Sequence, residues 1–80
     1  MIQREIEIFD KKNEELVSIV DVFIPDDVLF NYYKDYTEED PFLFYSYEIY
    51  EKDRDFYSKY ISMDFDFIKY DYVLSCSNIH

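Results

Sequence analysis

Eighty residues with nineteen acids against eight bases carry a net charge of −11, which repels phosphate backbones and anionic membrane surfaces and attracts basic partners over a long range. Glycine is absent, which excludes P-loop and GxGxxG phosphate cradles and the G-x-S-x-G nucleophile elbow, because each needs backbone positions that only glycine tolerates. Ten Tyr and eight Phe supply the area that one domain over residues 1–80 needs for a core, and they separate the chain from acidic disordered sequences.

In chain order, residues 2–9 alternate, with Ile2, Ile6 and Ile8 on one side and Gln3, Glu5 and Glu7 on the other. That is a strand with one wet face. DKKNEE breaks the alternation, and Asn13 is the best candidate there for a left-handed turn position. LVSIVDVFI (16–24) is β-branched and apolar on both sides, so it reads as an interior strand paired in a hairpin with the first. Pro25 ends it. The spacing of Val28, Leu29, Tyr32, Tyr33 and Tyr36 predicts a helix, with Asp26 and Asp27 where the N-terminal dipole favours negative charge.

DYTEEDPF (35–42) follows as a loop, since Pro41 biases Asp40 away from helix. FLFYSYEIY (42–50) alternates Leu43, Tyr45, Tyr47 and Ile49 against Phe44, Ser46, Glu48 and Tyr50, a third strand. Phe56, Tyr57, Tyr60 and Ile61 in KDRDFYSKYIS have helical spacing. FDFIKYDYVLSC closes the chain as a fourth strand, with Ile68, Tyr70, Tyr72, Leu74 and Cys76 on one face and a phase change near Phe67.

The order ββαβαβ predicts an α+β fold: a four-stranded, largely antiparallel sheet with both helices on one face. Leu16, Val20, Val22, Ile24, Ile68, Tyr70 and Leu74 would face the helices. The opposite, open face would carry Glu5, Glu7, Phe9, Ile19, Asp21, Phe23, Phe44, Glu48, Lys69 and Asp71. Aromatics among acids on an uncovered sheet are unusual for a face that only meets water.

Residue types argue against catalysis. The one histidine, His80, is the last residue, where nothing orients an imidazole. Serine and cysteine nucleophiles then have no base, and Cys76 falls on an apolar face, where an inert thiol is expected. Paired carboxylates for glycoside chemistry need a groove that encloses a sugar, and a chain this short leaves little room for one. MDFDF and TEED offer Asp64, Asp66 and three clustered acids, but a calcium loop needs a turn glycine and a terminal glutamate at set spacing. No catalytic residue, metal or cofactor is expected. Direct nucleic-acid binding fails on the sign of the charge.

Compartment follows from similar reasoning. A lone cysteine implies no internal disulfide framework and a reducing environment. MIQREIEIFDKK lacks a signal peptide's apolar stretch, and no apolar run approaches the ~20 residues of a membrane helix. The expectation is a cytoplasmic protein that does not enter membranes.

What remains is recognition of a basic protein. Tyrosine is enriched at interface hot spots because it joins large area and low entropy cost to a polar tip. The candidate contact residues are Tyr36, Glu38, Glu39, Asp40, Glu48, Tyr50, Glu51, Asp53 and Asp55, with Phe23 and Phe44 on the open sheet face.

REIEIFDKKNEELV at the start and FDFIKYDYVLSC at the end together resemble the small acidic immunity proteins of bacterial toxin–immunity systems, including those of contact-dependent growth inhibition. The resemblance spans most of the chain and rests on structural motifs. It implies a cytosolic antidote that binds a cognate toxin, often a nuclease with a basic cleft, and it brings no catalytic residues. Two alternatives stay open: a phosphate-mimicking inhibitor of the antirestriction or anti-CRISPR kind, and an unrelated acidic regulatory module.

Overall fold

In the computed structural model, which describes residues 2–76, β1 (Arg4–Asp10) and β2 (Leu16–Val22) form a hairpin. Pro25 then precedes α1 (Asp26–Tyr32), followed by β3 (Tyr47–Ile49), α2 (Arg54–Ser58) and β4 (Tyr70–Cys76). Single 3₁₀ turns lie at Lys34–Tyr36, after α1, and at Glu51–Asp53, before α2. The strands make one sheet in the order β2-β1-β4-β3 with every neighbouring pair antiparallel. This is the α+β fold and the ββαβαβ order expected from the sequence.

Strand periodicity builds the core. Ile6 lies opposite both Val20 and Leu74, and Tyr72 lies between Ile8 and Ile49. These side chains share a face because strand side chains alternate. Leu29 of α1, Tyr33 just beyond it and Tyr57 of α2 join the same buried cluster. Leu29 and Tyr33 are four residues apart, so one helical stripe carries both. Each fully buried Ile or Leu stabilises the fold by about 1.5–3 kcal/mol.

Five expectations are corrected. First, β2 is an edge strand, because β4 takes the other side of β1 along its whole length. Its two-sided apolar character leaves Leu16, Val17 and Ile19 exposed. Second, the register slips between Ile8 and Phe9, so Leu16 pairs with Phe9 and moves to the open face. A bulge changes side-chain phase in this way. Third, the left-handed residue of the first turn is Glu14, with φ 61°, not Asn13. Asn13 serves the turn through its side chain, whose Oδ1 accepts the Glu15 N–H at 3.0 Å.

Fourth, the third strand keeps only Tyr47–Ile49 of the nine residues in FLFYSYEIY. Leu43 has φ 53°, and the N–H groups of Phe44 and Tyr45 bond to a carboxylate instead of a neighbouring strand. Fifth, Ile68 is 92% exposed in a turn before β4. There the Asp66 carboxylate accepts the N–H groups of Ile68 and Lys69, which removes both residues from the strand faces first given to them.

Candidate protein-interaction surface

The loop between α1 and β3 is organised by two buried charges. Asp40, only 5% exposed, accepts the N–H groups of Phe44 and Tyr45 at 2.9 Å each and the Tyr47 hydroxyl at 2.6 Å. Burial opposes its charge, but those three donors and the nearby Arg4 outweigh it and hold the carboxyl below its ordinary pKa. Arg4, 2% exposed, donates to the carbonyls of Leu43 and Phe42. The loop is therefore tied to the sheet by Arg4 from β1 and folded around Asp40.

A second carboxylate sets the next turn. Asp53 is buried; it accepts the Tyr50 N–H at 2.9 Å and the Tyr32 hydroxyl. Tyr32 also stacks on Phe56, with ring centroids 3.8 Å apart, so α1 and α2 are clamped by ring contact and hydrogen bond together. Behind them the hydroxyls of Tyr33 and Tyr57 meet at 2.6 Å. Burial is the main cause that pushes Tyr33 up to about 12. Burial likewise raises Tyr57, Tyr32 and Tyr47, with Asp53 adding to the Tyr32 shift and Asp40 to that of Tyr47. These phenols stay protonated at neutral pH and serve as hydrogen-bonding groups, not as activated bases.

Two adjoining grooves open over this framework. One, of about 370 Å³, is lined by Asp35, Tyr36, Glu38, Glu39, Asp40, Tyr45 and Tyr47. The other, of about 440 Å³, shares Asp35, Tyr36 and Tyr47 and continues to Glu48, Tyr50 and Asp53. Between them the rings of Tyr36 and Tyr47 lie 5.4 Å apart and those of Tyr33 and Tyr47 5.3 Å apart. Tyr36, Tyr45 and Tyr50 are each more than half exposed. Asp35, Glu38, Glu39 and Glu48 are exposed beside them, and Lys52 is the one base among the residues lining either groove.

Aromatic faces next to carboxylates suit a guanidinium or ammonium group. The ring quadrupole attracts a cation by about 0.5–1 kcal/mol at an exposed site, and a carboxylate adds a charge-assisted hydrogen bond. Among the described residues no three His, Cys, Asp or Glu side chains converge as a metal set, and no helix is long and apolar enough to cross a membrane. Asp64 is exposed, and Asp66 is engaged with its own turn.

Of the predicted contact residues, Tyr36, Glu38, Glu39 and Asp40 meet in the first groove, and Tyr36, Glu48, Tyr50 and Asp53 in the second. Asp40 and Asp53 are corrected in role: both are buried and spend their oxygens on the framework, so they shape the grooves. Glu51 and Asp55 are exposed on either side of Asp53; Glu51 approaches Arg54 at 3.7 Å. Phe23 and Phe44 do not join this site. Phe44 lies in the loop against Phe42, ring centroids 5.6 Å apart, and so is not on the sheet face. Phe23, 73% exposed, borders a separate apolar groove just past the end of β2.

Tyr45 and Arg4 were missed. Tyr45 sits in the inward phase of FLFYSYEIY, and only the loss of the strand around it turns the ring outward. Arg4 had a readable signal, because it falls in the same phase as Ile2, Ile6 and Ile8. A lone cation in an apolar phase needs a buried acceptor. His80 lies outside the described residues.

Comparison with curated proteins and with solved structures finds no match. One family model does match, and it spans β1 to β4 with both grooves included. Over residues 3–75 the chain belongs to the family described as a domain of unknown function, DUF7683.

Proposed function

We propose that this protein is an immunity-type inhibitor that binds and neutralises a basic protein, a toxin nuclease domain, through the acidic, tyrosine-lined grooves. One observation carries the reading: exposed Tyr36, Tyr45 and Tyr50 stand among Asp35, Glu38, Glu39 and Glu48 on a framework fixed by Asp40 and Asp53. Rigid aromatic anchors lose little entropy on binding. The surrounding carboxylates steer a basic surface toward them. The net charge of −11 and the resemblance of both chain ends to acidic immunity proteins support the same partner class.

Co-expression with toxin nuclease domains encoded beside the gene tests this. Growth should be rescued by the wild type and lost with the pair Glu38→Lys and Glu39→Lys at unchanged Tm. If no adjoining domain is neutralised, the immunity reading falls. If rescue survives both the charge reversal and Tyr36→Ala, the grooves are not the contact surface.

A further inference from the structure

The sheet edge farthest from the grooves has features of its own. Among the described residues β2 has only β1 as a neighbour, so one side of its seven-residue backbone faces outward. Edge strands are normally protected by lysine, proline, short length or a covering element. From Leu16 to Phe23 there is no Lys, Arg or Pro, and Asp21 is the single charge. Leu16, Val17 and Ile19 are exposed there. Beyond Val22 lies the apolar groove of about 510 Å³, whose lining includes Ile2, Arg4, Val22, Phe23, Ile24 and Pro25.

Charge narrows the occupant. Ile19, Asp21, Glu5 and Glu7 fall on the open face, with Asp21 opposite Glu5 and Ile19 opposite Glu7 in register. The ion pair on this face joins Lys11, in the hairpin turn, to Asp71, opposite Phe9, at 3.7 Å. A strand added along β2 would place alternate side chains beside Asp21 and Ile19, with Glu5 and Glu7 one strand farther, about 10 Å away and within the screening length at 0.1 M. A second copy would bring another net −11 to that edge. A strand with lysine or arginine at alternate positions would neutralise it.

We propose that β2 is a strand-addition site for an extended basic segment of a partner protein, with backbone hydrogen bonds along the edge and alternate cations on the open face beside Asp21, in the field of Glu5 and Glu7 on the next strand. The site is distinct from the grooves and shares with the proposed function only the premise of a basic partner.

The probe is the peptide acetyl-KVKVKVK-amide, read by amide hydrogen exchange of the whole protein with and without peptide. Protection should rise in Leu16–Val22. A version N-methylated at alternate residues, which cannot donate along the edge, should bind about tenfold more weakly or worse, since it loses several hydrogen bonds. Ile19→Lys, on an exposed side chain, should weaken the parent peptide similarly without changing growth rescue through the grooves. Equal binding by the N-methylated peptide would overturn the proposal. So would equal binding by acetyl-EVEVEVE-amide, or self-association through β2 without peptide. Protection confined to residues 35–50 would overturn it too, while leaving the grooves as the contact surface.

Discussion

A carboxylate holding two backbone N–H groups and a phenol cannot be exchanged without moving the chain it holds. Asp40 does this for the segment from Phe44 to Tyr47, so Asp40→Ala should destabilise the protein by about 2–3 kcal/mol, the usual size for hydrogen bonds to a charged group. Thermal or urea unfolding measures it. The pair Glu38→Lys and Glu39→Lys should stay within about 0.5 kcal/mol of wild type, because exposed charges contribute little. Sequence alone makes these three acids look alike; burial separates them.

The same residues fix how stability depends on pH. The folded pKa of Asp40 is depressed, so its contribution is complete above the unfolded carboxyl value, about 3.9. It is lost as pH falls through the lower folded value. Asp40→Asn should therefore flatten the acid limb of a stability–pH curve. Tyr33 has the opposite sign. Its folded pKa is about 12 against an unfolded value of about 10, so its stabilisation is present below about 10. That stabilisation disappears as pH rises toward 12. Phenolate absorbance and circular dichroism followed together should show this ring ionising with alkaline unfolding, and not before it.

At the scale of elements, periodicity located all four strands and both helices but not their limits. It has no means of seeing a side chain that takes over backbone N–H groups. Asp40 does so at Phe44 and Tyr45, and Asp66 at Ile68 and Lys69, and those are the places where predicted strand became loop or turn. The first turn shows a related limit, since Asn13 was the better left-handed candidate by type, yet its side chain is engaged and Glu14 takes the strained backbone. Relief of that strain outweighs the greater freedom glycine adds to the unfolded chain. Glu14→Gly should raise stability by about 0.5–1 kcal/mol, seen as a higher denaturant midpoint at unchanged m.

Across the whole molecule, strand order was the feature least legible in the sequence. Hydrophobic pattern says that β2 is apolar on two sides, but not whether β4 pairs with β1 or with β2. The pairing with β1 leaves β2 and β3 as the two edges, with the apolar edge at one end and the acidic grooves near the other. The grooves themselves were half legible. Their residue types follow from DYTEEDPF and the tyrosines around it, whereas their shape depends on Arg4, which reaches from β1 to the carbonyls of Phe42 and Leu43.

Charge gives this arrangement a kinetic signature. Association with a basic partner should slow markedly as salt shortens the screening length, about 10 Å at 0.1 M. Tyr36→Ala or Tyr50→Ala should instead speed dissociation, because hot-spot rings act through desolvated contact. Stopped-flow association and dissociation rates across ionic strengths separate the two effects.

The central proposal is that the tyrosine-and-carboxylate grooves are the surface that would meet a basic toxin domain. The most direct measurement is the hydrogen-exchange footprint of the protein with a toxin nuclease domain that co-expression shows it to neutralise, compared with the free protein. The account predicts slowed exchange over residues 35–50, centred on Tyr36, Tyr45 and Tyr50. A stable, neutralised complex in which exchange over 35–50 is unchanged would contradict it.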